Sequence, residues 1–343
     1  MGPARPVDVL IVSLGSTHGL RAADEQLAGA LERAGASVEI AAARRPRALR
    51  TMMLTDLAWA VAARTAARRA LAGLAPRAVI YSSTTAALLW PRPGASKRIA
   101  PSAGNRPGRH GLWQRPLERR RLARAPLLLP WSDGALREAP ADVARARALV
   151  MPVAVEPSGA PAPERDVAAL TYAANPAKKG LARVLAAWRA LPADARAGGL
   201  IVAGAGEREL ARAGIDAGGH DVRVVGSLAP GEYRALLRRA RVFVCAPLRE
   251  DYGIAQLEAL ADGCRLVTTP APGPYAALEL ARALDRRLVG EDLAAGLRAA
   301  LVDPLPGYAE RARGQLAPYT ADALDALVAE QLVPRLLEEG AQL

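Results

Sequence analysis

The sequence predicts an α/β fold of two Rossmann-like, doubly wound halves in tandem. Short apolar runs alternate with segments of helical periodicity along the chain. A stretch rich in proline and small residues interrupts that alternation near the middle. The 343 residues also suffice for two domains of roughly 100–200 residues each.

Taken in order, residues 7–14 form a continuous apolar strand that runs into Gly15-Ser-Thr-His-Gly19, a loop containing glycine. Residues 23–35 follow, with Leu27, Ala30 and Leu31 at helical spacing, and a second strand lies at 37–41. A long arginine-studded helix is expected near 54–74, a strand at 78–81, a helix near 117–124 and a strand at 127–130. Alternating β and α in this order implies a parallel sheet covered by helices on both faces.

Residues 156–166 are the expected linker, separating a domain at 1–155 from one at 167–318. The second series reads strand 167–172, helix 180–191, strand 200–203, strand 222–225, helix 232–239 and strand 242–245. It closes with helix 254–261, strand 265–268 and helix 292–301. A terminal helix near 321–338, within 319–343, is expected to return to the first domain.

Composition narrows the function classes. With 51% hydrophobic and 23% charged residues the chain is a globular protein rather than a disordered one. Aromatics are only 4%, with a single Phe at 243, so Ala, Leu and Val must fill the cores. Arginine interrupts every Ala/Leu-rich segment, so no stretch reaches the ~18–20 apolar residues of a membrane span. The start lacks a signal-peptide pattern, which makes the cytoplasm the expected location. Cys245 and Cys264 stand far from any second thiol or histidine cluster, so buried thiols are expected, with no disulfide framework and no zinc site. Of the 46 basic residues only Lys97, Lys178 and Lys179 are lysines, a usage that resembles the codon bias of a GC-rich genome. That bias acts on both halves alike, yet the charge does not divide alike. Residues 1–155 carry 24 basic against 10 acidic residues, net +14, and residues 156–343 carry 22 against 24, net −2. The asymmetry points to an anionic partner for the first half: a phosphate-bearing acceptor, an anionic lipid surface or nucleic acid. The helix near 54–74, with Leu54, Leu57, Trp59 and Val61 ahead of Arg64, Arg68 and Arg69, reads either as a membrane-surface element or as a packed helix with a basic flank.

The stretch 242–264 carries the strongest chemical signal. A buried strand ends at Pro247, a charged loop holds Glu250, Asp251, Tyr252 and Gly253, and a helix carries Glu258. Strand-to-helix turns of this kind are where open α/β sheets place their ligand crevice, and the amides opening the helix face an anion.

This stretch resembles the Glu-x7-Glu signature of retaining glycosyltransferases of the GT-B fold, in particular glycosyltransferase family 4. Pro247, Glu250, Tyr252, Gly253, Glu258-Ala-Leu-Ala, Gly263 and Leu266-Val267 fit the pattern. Asp251 and Arg265 depart from it, at positions where the family has Gly and Pro. Three flanking segments follow the same family in order: Thr171 to Leu181, Leu200 to Glu207 with its Gly-x-Gly, and 222–233.

The resemblance implies two Rossmann-like domains facing a central cleft, a nucleotide-diphosphate sugar as donor, and no cofactor or metal. Lys179, with Lys178 beside it, would grip the donor diphosphate, while Asn175 occupies the family's arginine position. Glu250 would contact donor-sugar hydroxyls, Glu258 the ribose, and the amides of Asp251, Tyr252 and Gly253 the sugar or phosphate. The loop from Gly15 to Gly19 would close over the diphosphate, and His18 or His110 would touch the donor sugar; His220 reads as surface. The acceptor is a glycan, a lipid or a small molecule. Retention would follow from same-face attack, with the leaving diphosphate helping to deprotonate the acceptor.

Two other readings stand beside this one. A catalytically weakened GT-B protein would bind a sugar nucleotide or a partner without transfer. A basic nucleic-acid-binding protein accounts for the charge but for neither Glu250 and Glu258 nor the ordered glycine segments, and the sparse aromatics offer few stacking platforms.

Overall fold

The computed structural model describes residues 4–47, 49, 51–97, 100–106, 108–143, 145–160, 162 and 164–337, excepting the side chains of Arg109 and His110. The chain divides into two compact units, one of residues 1–154 and 321–343 and the other of 155–320.

The N-terminal unit is built on a parallel sheet in the order β2-β1-β3-β4-β5. Its strands are β1 (Arg5–Ser13), β2 (Val38–Ala42), β3 (Leu74–Tyr81), β4 (Ala95–Lys97) and β5 (Leu128–Leu129). The apolar run in β1 is continuous because the strand is buried on both faces. Val9 and Ile11 join one core with Leu27, Leu31 and Ile80, while Leu10 and Val12 join the other with Ala63, Ala67 and Tyr81. Strand β4 has no apolar run of its own, and the sequence reading missed it.

The first helix spans His18–Arg33. Its onset corrects the expected loop at 15–19: the Thr17 hydroxyl accepts from the Leu20 amide at 3.3 Å and caps the helix, so His18 and Gly19 are already helical. The long helix is Met52–Gly73, capped in the same way by Thr51. The segment Ala321–Leu337 packs on the Val9/Ile11 face through Leu324, Val328, Leu332 and Leu336. A stripe spaced by four residues drifts about 40° per step on an α-helix. The π-helical stretch Val328–Leu332, ahead of Pro334, winds more loosely and turns the stripe back toward the core.

The C-terminal unit has a second parallel sheet, ordered β10-β9-β6-β7-β8. The strands are β6 (Val167–Tyr172), β7 (Leu200–Ala203), β8 (Val222–Gly226), β9 (Ala240–Cys245) and β10 (Arg265–Thr268). The chain runs outward from β6 through β7 to β8, then returns to the other side of β6 for β9 and β10. The order therefore reverses between β6 and β9, and ligands of open sheets bind outside the carboxyl ends of the strands at such a reversal. Helices Ala276–Leu284 and Tyr308–Gln315, not foreseen from the sequence, pack against each other and help cover this unit.

Candidate active site

Two turns meet at the reversal. After β6 the chain makes a compact loop in which the Asn175 side-chain oxygen accepts from the Lys178 amide at 3.0 Å and the Asn175 carbonyl accepts from the Lys179 amide at 2.9 Å. Gly180 then enters the helix Leu181–Arg189 at φ +66°, and a Cβ there would lie 1.8 Å from the Ala246 carbonyl oxygen. Only glycine allows the backbones after β6 and β9 to approach this closely. The Leu248 amide donates to the Lys178 carbonyl at 3.0 Å and fastens the two turns together.

That fastening sets Lys179 against Glu250, with Nζ 2.6 Å from Oε2. Gln256 Nε2 donates to the same oxygen at 3.2 Å. The Glu250 backbone is fixed as well: its amide donates to the Pro272 carbonyl at 3.0 Å, and Gly273 at φ +112° packs its Cα against the Glu250 carbonyl. Behind the carboxylate, Cys245, Thr268 and Tyr275 form a buried cluster, with Thr268 Oγ1 and the Tyr275 hydroxyl 3.0 Å apart. Burial pushes the Cys245 thiol up, so it is a packing group rather than a nucleophile.

Gly253 begins the next helix, Ile254–Ala261, at φ +96°, with the Tyr275 ring 2.7 Å from where a Cβ would stand. No side chain caps this helix start, and Gln256 in its first turn is the residue that bonds Glu250. The Tyr252 side chain is buried, and Asp251 receives a 3.3 Å bond from Arg249 Nε. One turn along the helix from Ile254 stands Glu258, 27% exposed, with Arg234 Nη1 at 3.8 Å. Burial raises the Glu258 carboxyl above the usual range, Arg234 opposes that shift, and Asp262 adds to it. Arg234 is held by the fully buried Asp262 carboxylate at 2.6 Å, which also accepts from the Ser158 amide. Beside Glu258, the rings of Tyr172 and Tyr233 meet in a tilted pair, with centroids 5.2 Å apart and planes at 56°.

The expected residues Lys178, Lys179, Asn175, Glu250, Asp251, Tyr252, Gly253 and Glu258 thus gather at one end of one sheet. Lys178 is exposed, whereas the Asn175 side chain is engaged in shaping the turn. Gln256, Arg234, Tyr172 and Tyr233 were not singled out from the sequence. Gln256 sits inside the motif that contains Glu250 and Glu258, and Tyr172 and Tyr233 lie inside the flanking segments 171–181 and 222–233, whereas Arg234 falls just outside them.

In the N-terminal unit, Gly15 follows β1 at φ +51°, His18 is exposed at the helix start, and Gly19 lies in the first turn. The His110 side chain lies outside the described residues. At the carboxyl ends of β1 and β4 a sealed network joins Ser13, Asp24 and Lys97: Ser13 Oγ donates to Asp24 at 2.6 Å and Lys97 Nζ to the same carboxylate at 2.8 Å. Among the described residues, no group of three or more His, Cys, Asp and Glu side chains is placed to hold a metal ion. None of the described helices is long and apolar enough to cross a membrane.

Residues 166–303 match the family model described as glycosyl transferases group 1. Across 96% of this chain and 99% of its own, the structure of WaaG, a glycosyltransferase involved in lipopolysaccharide biosynthesis, superposes with a TM-score of 0.69 at 16% identity. Sucrose-phosphate synthase from Thermosynechococcus elongatus gives a TM-score of 0.67 at 16% identity, covering 98% and 100% of the two chains. The α,α-trehalose 6-phosphate synthase from Burkholderia multivorans gives 0.65 at 13% identity, covering 99% and 100%. A search of curated proteins finds no match in sequence. At these identities the structural likenesses establish the fold.

Proposed function

We propose that the protein is a glycosyltransferase whose C-terminal unit binds a nucleoside-diphosphate sugar: residues 166–303 match the family model described as glycosyl transferases group 1, within a chain of GT-B fold. On this reading the sugar passes to an acceptor with retention of anomeric configuration, without a metal ion or other cofactor.

The observation that carries the proposal is the Lys179–Glu250 pair beside the uncapped helix start at Gly253. Lys179 spends one of its three ammonium donors on Glu250 and is 24% exposed, so two donors remain for phosphate oxygens. Lys178 and the amides from Gly253 onward supply further positive potential where the leaving diphosphate develops charge. Glu250 then accepts from donor-sugar hydroxyls and Glu258 from the ribose. The bond from the anomeric carbon to the diphosphate oxygen breaks, the bond to the acceptor oxygen forms, and the acceptor proton passes to the departing diphosphate. His18 or His110 completes the sugar contact from the N-terminal unit, with Gly15 and Gly19 in the segment that meets the diphosphate. The N-terminal unit takes the acceptor, a glycan, lipid or small molecule, and its net charge of +14 over residues 1–155 suits contact with an anionic membrane at the cytoplasmic face.

One observation favours a second reading, binding without transfer: Asn175, at the position of the family's arginine, is spent on its own turn. The two readings separate on slow hydrolysis of UDP-, GDP- and ADP-glucose, followed by release of nucleoside diphosphate. Transfer predicts release from at least one of them, reduced about 100-fold in Glu250→Gln. Binding of a nucleotide with no release above background would favour the second reading.

A further inference from the structure

We propose that the exposed face of the helix Met52–Gly73 docks the N-terminal unit onto an anionic lipid surface. This deepens the membrane contact proposed above and uses none of the donor chemistry.

The helix is packed in reverse of the usual surface helix. Its fully buried stripe is small, with Ala60, Ala63 and Ala67, and Trp59 and Leu71 are half-buried against the same core, whereas Met52, Met53, Leu54, Leu57 and Val61 face outward. Met52, Leu54, Leu57 and Val61 are 54%, 42%, 38% and 48% exposed, and Leu49 just before the helix is 46% exposed. A soluble surface helix places such residues toward its core. Leu112, 55% exposed, follows the turn Gly108–Gly111 that packs on the same helix. Most of the large exposed hydrophobic residues therefore fall in one region, and contiguous apolar exposure of this kind marks an interaction surface.

Charge identifies the occupant. The only acid in the helix, Asp56, faces inward, where Arg106 grips it at 2.6 and 2.9 Å. The exposed face turns from apolar to basic along its length, reaching Arg68 and Arg69, which form no ion pair among the described residues. Arg44, Arg45 and Arg47 are exposed just ahead of it. An apolar strip bordered by cations matches the boundary between acyl chains and anionic headgroups. A second copy of the chain would set two strongly basic surfaces against each other. Nucleic acid would use the cations and leave the leucines in water.

The test is co-sedimentation of the whole chain with phosphatidylcholine vesicles made with and without phosphatidylglycerol. The proposal predicts binding to the anionic vesicles only, weakening as salt rises. Leu57→Ser with Val61→Ser should lower partitioning about tenfold or more, and Arg68→Ala with Arg69→Ala about tenfold at low salt. Both double variants should keep the wild-type circular dichroism and melting. The proposal is overturned by absent binding, by apolar variants that bind like wild type, by a dimer that Leu57→Ser with Val61→Ser splits, or by a single-stranded RNA oligonucleotide that binds more tightly than the vesicles. Nucleotide binding is read without vesicles, so failure here leaves the donor site standing, and the reverse also holds.

Discussion

Lys97 in the N-terminal unit and Lys179 in the C-terminal unit each stand at the carboxyl end of a parallel sheet, 2.8 and 2.6 Å from a carboxylate. The Lys97–Asp24 side chains are 4% exposed on both sides, while Lys179 and Glu250 are 24% and 11% exposed. Lys97 also donates to the Ala23 carbonyl, and Ser13 completes the Asp24 shell. A pair sealed in this way holds the fold, because neither charge can leave without exposing the other to a low dielectric. A pair within reach of solvent can exchange partners with a phosphate or a sugar hydroxyl at little cost. The difference in access, rather than in distance, separates a lysine sealed into the fold from one open to solvent.

The sharpest way to break this comparison is to remove each lysine. Lys97→Met should destabilise the protein by roughly 3–5 kcal/mol in denaturant unfolding, since Asp24 is left buried with only a hydroxyl partner. Adding Asp24→Leu should recover much of that loss. A Lys97→Met protein as stable as wild type would mean that the sealed pair is not structural.

A buried carboxyl that forms no ion pair among the described residues extends the contrast, with Arg115 near enough only to oppose the effect of burial. Glu118 accepts from the Ser102 amide through both oxygens, and burial pushes its carboxyl up to about 7. The folded state therefore holds a proton that the unfolded chain releases near the ordinary value of 4.5. This contribution is complete below that value and is lost as pH rises toward 7, on the order of 3 kcal/mol in all. Unfolding at pH values on either side of this window should show the decline in wild type and little of it in Glu118→Gln. Equal slopes in the two proteins would remove Glu118 as its source. Glu258 is raised by burial too, with Arg234 opposing the shift and Asp262 adding to it.

The two units also differed in how much the sequence disclosed. In the C-terminal unit the strands at Val167–Tyr172, Leu200–Ala203 and Arg265–Thr268 and the helix Ile254–Ala261 fall where the apolar runs put them. Local signals sufficed there, because each strand is a short, largely buried apolar run. The site residues share the turns after β6 and β9, so a linear motif carried most of the constellation. Arg234, Tyr172 and Tyr233 come from other segments, and only the sheet order brings them to Glu258. In the N-terminal unit β4 is just Ala95–Lys97 and owes its place to neighbours far along the chain. The loop predicted at 15–19 ends at Thr17, whose hydroxyl caps a helix that already includes His18 and Gly19. The outward leucines of Met52–Gly73 could not be told from a core stripe until the alanine face was seen packed.

The smallest stability change is expected at the solvent-reachable pair: Lys179→Met should alter unfolding free energy by less than about 1 kcal/mol. Its effect should appear instead in ligand binding. The most direct test of the central claim is therefore a thermal-shift comparison of wild type, Lys179→Met and Glu258→Ala against UDP, GDP, ADP and their sugar conjugates. A donor-type nucleotide at roughly 100 times its dissociation constant should stabilise wild type by about 2.7 kcal/mol, a rise of a few degrees in Tm that both variants lose. If no nucleotide shifts wild type at millimolar concentration, or if the variants respond as wild type does, the site at Lys179, Glu250 and Glu258 is not where the donor binds.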